Sequence, residues 1–167
     1  MTDLESRVAA LEDALARLER RAPSPAPGPP AGGAELDLWL VDGLRERQPG
    51  GSVAFGGTVA LGKGEVVWQW GADAEALREA EWSSAAGVLD ALAHPVRLRL
   101  LQRVLNGTVT TADLGLDDAL GTTGQLHHHL RALVAAGWLQ SVGRGTWTLP
   151  APRVVPLLVV VAAGLAR

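Results

Sequence analysis

Residues 87–149 read GVLDALAHPVRLRLLQRVLNGTVTTADLGLDDALGTTGQLHHHLRALVAAGWLQSVGRGTWTL. The order of punctuation in this stretch decides the fold. His94-Pro95 closes one segment and opens another, because proline suits a first helical turn, where its missing N–H costs nothing. Val96, Leu98, Leu100, Leu101, Val104 and Leu105 predict a largely buried helix, and Asn106-Gly107 ends it. Thr110 or Thr111 caps a second, short helix carrying Ala112, Leu114, Leu116 and Leu120, which Gly121 breaks. Thr122 or Thr123 caps a third helix reaching Ala136, with Leu126, Leu130, Leu133 and Val134 turned inward, and Gly137 stops it. Residues 138–141 and 146–149 predict two strands, with residues 142–145 as the hairpin between them. Three helices with a short glycine-bearing turn, then a β-hairpin, predict a winged helix-turn-helix over residues 73–150.

Working outward, the run 154–166 is apolar but broken by Pro156 and Gly164. At about 13 residues it falls short of the ~20 needed to cross a bilayer, so residues 151–167 predict a buried helix. Upstream, Asp73 can cap a helix running towards Leu92, with Leu77, Ser84, Ala85, Val88 and Leu92 inside and an interruption near Ser83-Ser84. Residues 35–72 predict a module of their own. A short helix over 35–47 has Leu36, Leu40 and Leu44 on one side. A β-hairpin follows, with Val53, Phe55, Val59 and Leu61 on one strand, Val66, Val67, Trp68 and Trp70 on the other, and Gly62-Lys63-Gly64 as the turn. Residues 22–34 (APSPAPGPPAGGA) carry five prolines and form a linker that cannot enter a core. In residues 1–21, Leu4, Val8, Leu11, Leu15 and Leu18 recur every 3.5 residues on average, the seam of a coiled coil. Thr2 and Glu5 form its capping box, and Arg7 would meet Glu12 of a second parallel chain. The competing interpretation is a lone amphipathic helix docked on its own domain. The expected class is therefore mainly α with small β-hairpins (α+β).

The chain has 167 residues and no cysteine, which excludes disulfide frameworks, thiolate zinc sites and cysteine nucleophiles. Residues 1–89 hold fourteen acids and eight bases, a net of −6. Residues 90–167 hold four acids and seven arginines, a net of +3, and all four histidines. The second half is the place to look for a polyanionic partner. There is no Gly-rich phosphate loop, no G-x-S-x-G elbow and no HExxH, so the sequence argues against an enzyme. Residues 1–21 lack the apolar stretch of a secretory signal. A cytoplasmic protein without a membrane anchor is expected.

The segments LDALAHPVRLRLLQRVL, TTADL, GTTGQLHHHLRALVAAGWL and GRGTWTL together resemble the ArsR-type winged helix-turn-helix transcriptional regulators over roughly residues 85–150. The resemblance implies a symmetric homodimer that sets a recognition helix in the DNA major groove and commonly represses. It also implies a dimer interface built with the last helix, the place of residues 154–166. Metal-sensing members carry cysteines on the first helix of the helix-turn-helix, and residues 110–120 have none. Others place His, Asp or Glu ligands on the last helix, and residues 154–167 have none of these. Metal sensing at those places is disfavoured. The spacing from Leu114 to Leu130 is one residue longer than is commonest there, which marks the turn at Gly121-Thr122 as unusual.

A recognition helix packs one stripe on its domain and offers the opposite stripe to bases and phosphates. With Leu126, Leu130 and Leu133 buried, the DNA-facing candidates are Thr122, Thr123, Gly124, Gln125, His127, His128 and Arg131, joined by Arg144 at the wing tip. Gln125 can pair bidentately with adenine, and threonine can contact a base or a thymine methyl. Thr122 and Thr123 sit at a helix N-terminus, a natural phosphate seat. Gly124 allows close backbone approach, and Arg144 can enter the minor groove. Arg97, Arg99 and Arg103 are either further phosphate contacts or a solvated face. Consecutive histidines diverge by ~100° on a helix, so His127, His128 and His129 cannot chelate as a trio, and no metal or cofactor is expected. His129 is expected against the domain and His94 at a helix start.

These features predict a sequence-specific, dimeric regulator binding double-stranded DNA, a repressor more than an activator. The alternative is a protein-interaction module using the coiled coil and the Trp-bearing hairpin, with little DNA binding. A third interpretation keeps the DNA role and adds a small apolar ligand or a protein partner at the 52–70 hairpin, whose tryptophans could equally be ordinary core.

Overall fold

The computed structural model describes residues 38–62, 64–107 and 109–166. The expected coiled coil at 1–21 and linker at 22–34 lie outside the described residues. The chain divides into two compact units, Met1–Asp42 and Gly43–Arg167. The first is described only from Leu38 onward, where helix α1 (Trp39–Arg47) begins; none of the α1 residues is buried.

The second unit is mixed α+β. Strands β1 (Ser52–Leu61) and β2 (Gly64–Asp73) form a long antiparallel hairpin, paired from Ser52↔Asp73 to Leu61↔Gly64. Gly62 supplies the positive φ (+56°) of the turn. The period-2 alternation makes the ribbon amphipathic. Phe55, Val59 and Leu61 share a face with Val66, Trp68 and Trp70, while Val67, 70% exposed, is on the other face. Asp73 Oδ1 accepts the N–H groups of Glu75 and Ala76 (2.9 and 3.0 Å), capping α2 (Ala74–Glu79). The helix expected to run on from there is cut into three: α2, a 3₁₀ turn at Trp82–Ala85, and α3 (Ala86–Asp90). Ser84 and Ala85 are exposed rather than inside, in the separate 3₁₀ turn that the Glu81 side chain caps by accepting the Ser83 N–H.

Helix α4 (Pro95–Leu105) opens with His94 as its cap, the Nδ1 accepting the Val96 N–H at 3.2 Å. Leu100, Leu101 and Val104 are buried, but Leu98 is exposed, contrary to the sequence expectation. Thr110 caps α5 (Thr111–Leu114), which is one turn long. The helix expected to continue to Leu120 ends at Gly115. A 3₁₀ turn at Asp118–Leu120 follows, and Leu116 between them is 81% exposed. Helix α6 (Thr123–Ala135) buries Leu126, Leu130 and Leu133, whereas Val134 faces solvent. Gly137 (φ +72°) ends it. Trp138 and Leu139 are core residues ahead of β3 (Gln140–Gly143), so the strand starts two residues later than its sequence suggests. It pairs with β4 (Thr146–Thr148) around Arg144-Gly145.

Helix α7 (Ala151–Leu165) buries Val154, Val155 and Leu157 and packs on both strands of the long hairpin. The approach is close: a Cβ on Gly57 would sit 3.7 Å from Val155 Cγ1. One apolar core joins α4, α5, α6 and α7 to Trp138, Leu139 and Leu149, with Val59, Leu61 and Val66 of the hairpin packed against it. Burying that much leucine surface, at about 25 cal/mol per Å2, is the main force holding these short elements together. No helix among the described residues is long and apolar enough to cross a membrane.

Candidate nucleic-acid interface

The start of α6 is built by a reciprocal cap. Thr122 Oγ1 accepts the Gln125 N–H (3.4 Å), and Gln125 Oε1 accepts the Thr122 N–H (2.8 Å) and the Thr122 hydroxyl (3.1 Å). Two helix-end donors are thereby satisfied. Gly121 makes room for this box. Its φ is +80°, and a Cβ there would lie 2.5 Å from Gln125 Oε1.

Beyond the cap, α6 is two-sided. Leu126, Leu130 and Leu133 are no more than 1% exposed. Thr122, Thr123, Gly124, Gln125, His127, His128 and Arg131 are all exposed. Arg131 Nε donates to the His127 carbonyl one turn back (3.3 Å), which lays its guanidinium along the polar stripe. Gln125 and Thr122 are thus both exposed and engaged: a bidentate contact to a base would require Gln125 Oε1 to leave the cap.

The β3–β4 hairpin carries Arg144 exposed at its tip. It is tied to the start of α5 by bonds that sequence periodicity could not reveal. Thr111 N–H and its hydroxyl both donate to the Gly145 carbonyl (2.8 and 3.2 Å). Trp147 Nε1 donates to Thr111 Oγ1 (2.8 Å), and Trp147 N–H to the Val109 carbonyl (2.8 Å). The tip is therefore fixed relative to the helical core.

The arginines of α4 are already engaged. Arg99 grips Asp117 with Nε (2.9 Å) and Nη2 (3.0 Å), and Arg103 Nε lies 3.8 Å from the same carboxylate. Hydrogen bonding from Arg99 holds the Asp117 carboxyl below its ordinary pKa and raises that of the guanidinium. Arg97, largely covered, lies 3.8 Å from Asp90.

The histidines separate by role. His129 is half-buried, its ring 4.6 Å from that of His94 and 5.5 Å from that of His128. Burial, with His94, His128 and Arg97 close by, pushes its pKa below the ordinary imidazole value. His127 and His128 stay on the exposed stripe. Among the described residues no three His, Asp or Glu side chains converge as a metal-ligand set.

The hairpin tryptophans form a separate feature. Phe55 lies 5.5 Å from Trp68 and 5.4 Å from Trp70, ring centre to ring centre. With Pro152, Arg153 and Pro156 of α7 they line a shallow hollow of about 380 Å3. Trp138 is different: it is buried, donates Nε1 to the Val88 carbonyl (2.9 Å) and has the Arg153 guanidinium over its ring. Compared with protein-family models, with curated proteins and with solved structures, the chain gives no match, so the site is defined by its own residues alone.

Proposed function

We propose that the protein is a sequence-specific DNA-binding transcriptional regulator that acts as a homodimer and represses. Residues 109–148 would serve as the turn-helix and wing of a winged helix-turn-helix. The single observation that carries this reading is the two-sided α6: a fully buried leucine stripe opposite an exposed face of Thr, Gly, Gln, His and Arg. Any surface helix has a polar face; what suits this one to a major groove is that short hydrogen-bonding side chains gather at its N-terminal half. The neighbouring hairpin, anchored through Trp147 and Thr111, would bring Arg144 to the backbone or minor groove. Two such helices about one DNA turn (~34 Å) apart would read a two-fold-related pair of half-sites.

Selection of binding sites from random duplexes, followed by gel shifts in a salt titration, tests the proposal. An enriched sequence with a two-fold repeat, bound more weakly as salt rises, is the expected result. Failure to enrich any sequence would reject it. The interaction-module reading keeps one specific support, the Val67 and Trp70 side chains that the hairpin leaves exposed.

A further inference from the structure

We infer that the hollow between α4 and α7 is a binding site for a small amphiphile with an apolar body and one anionic head. Its volume is about 550 Å3, inside the ~300–1,000 Å3 range of small-molecule sites. Leu98, Leu101 and Leu105 of α4 form one wall, and Leu157, Leu158 and Val161 of α7 the other. It is distinct from the hollow at Trp68 and Trp70, whose lining shares none of these residues.

The polar groups lie together on α4. Arg99 and Gln102 are the two polar lining residues. Arg99 spends Nε and Nη2 on Asp117, and its Nη1 has no partner among the described residues. Arg103 approaches the same carboxylate, so Asp117 is shared between two guanidiniums and Arg99 keeps an unspent N–H on the rim. An anionic head complements that donor. A second copy does not: a two-fold contact over this groove would set Arg99 against its own copy.

The site also borders the 3₁₀ turn that leads into α6. Ala119 lines the hollow, and its N–H is held by Asp117 Oδ1 at 3.2 Å. Leu120 and Gly121 then lead to Thr122, the cap of α6. A head group that draws Arg99 from Asp117 loosens this turn and alters the presentation of α6. This coupling rests on the DNA-binding reading; the ligand site itself does not.

The test is calorimetric titration of the full chain with octanoate and with 1-octanol. One saturable site per chain is expected, with octanoate favoured by about tenfold and that preference lost in Arg99→Gln. Leu158→Arg, at an exposed lining position, and Val161→Trp, which fills the hollow, should each weaken octanoate by at least about tenfold. Their thermal midpoints report whether they remain folded. The site is overturned if neither probe saturates the wild type, or if both folded variants bind as the wild type does. It is equally overturned if Leu158→Arg converts a dimer that binds neither probe into a monomer, since the groove then belongs to a second copy. With the selected duplex, saturating octanoate should change DNA affinity; unchanged affinity rejects the coupling. Absence of any DNA binding, with octanoate binding intact, rejects the regulator reading and leaves the site standing.

Discussion

Gln125 Oε1 accepts the Thr122 backbone N–H at 2.8 Å, so the side chain best suited to read adenine also closes the first turn of its own helix. The two roles can be separated by substitution. Gln125→Glu keeps an acceptor at this position and adds a charge favoured at a helix N-terminus, so stability should stay within about 0.5 kcal/mol of the wild type. The same change puts a negative charge against DNA and should abolish tight binding. Gln125→Ala should lower stability by about 1 kcal/mol and relax sequence preference at one position. Urea unfolding and gel shifts on operator variants measure both. Equal loss on every operator variant for Gln125→Ala would leave the residue with the cap alone.

His129 gives stability a pH dependence of known sign. Its pKa is lowered in the folded protein, first by burial and then by His94, His128 and Arg97. Above the ordinary imidazole value of ~6.5 the ring is neutral in both states and folding carries no penalty. As pH falls through that value the unfolded chain takes the proton first, and the folded state loses stability. The thermal midpoint should therefore drop between pH 7.5 and 5.5, and His129→Gln should flatten that drop. His127→Ala, on the exposed stripe, should weaken DNA binding without altering this drop.

Asp117 works in the same direction at lower pH. Arg99 holds its carboxyl below the ordinary value, so the pair's contribution is full above the unfolded carboxylate pKa and fades as pH falls through the folded one. Asp117→Asn should remove that acid-side loss in a series of melts below pH 5. It should also lower the midpoint at pH 7, because Arg99 and Arg103 then lose their common partner. A variant that melts like the wild type at every pH would show the contact to be energetically idle.

Leu116 and Leu130 look alike in the sequence and behave differently in the fold. Leu130→Ala should cost about 2–5 kcal/mol, because its side chain is wholly enclosed. Leu116→Ala should stay within about 0.5 kcal/mol, as it is 81% exposed. Chemical denaturation of the two variants decides this.

That pair also marks what the sequence could and could not reveal. The leucines of α6 recur at i, i+4 and i+7, and all three are buried, because a regular helix of this length keeps its period, although Val134, expected beside them, is exposed. In the Thr110–Leu120 stretch the same counting fails. Gly115 ends α5 after one turn, and the Arg99 bond to Asp117 fixes the chain beyond it. Leu98 fits the helical period too, yet it lines a hollow, and no pattern within one helix can register a missing neighbour. The seven candidates at and on α6 are exposed, as reading their positions off the buried stripe suggested, and Arg144, read from the hairpin, is exposed too. In the sequence Gln125 reads as a base contact alone, and the cap stays open between Thr122 and Thr123; the reciprocal bond that engages Gln125 is visible only in the fold. The wing's anchorage was not legible at all, since Trp147 and Thr111 lie 36 residues apart and no local rule pairs them.

That anchorage leads to the last prediction. Arg144 owes its fixed place to Gly145, whose carbonyl holds the Thr111 N–H at 2.8 Å, and to Trp147, whose indole holds the Thr111 hydroxyl at the same distance. If Arg144 meets phosphate or the minor groove, Arg144→Ala should weaken all duplexes alike and reduce the slope of log affinity against log salt by about one. Trp147→Phe keeps the arginine but removes the indole donor, at a stability cost of about 1 kcal/mol. It should therefore lose affinity with a smaller change in slope, because the charge is still present but less well aimed. Gel shifts over a salt series, run on the selected duplex and on a scrambled one, separate these outcomes. A loss for Arg144→Ala confined to the selected duplex would instead make the wing a reader of sequence, and a loss on neither would take it off the DNA.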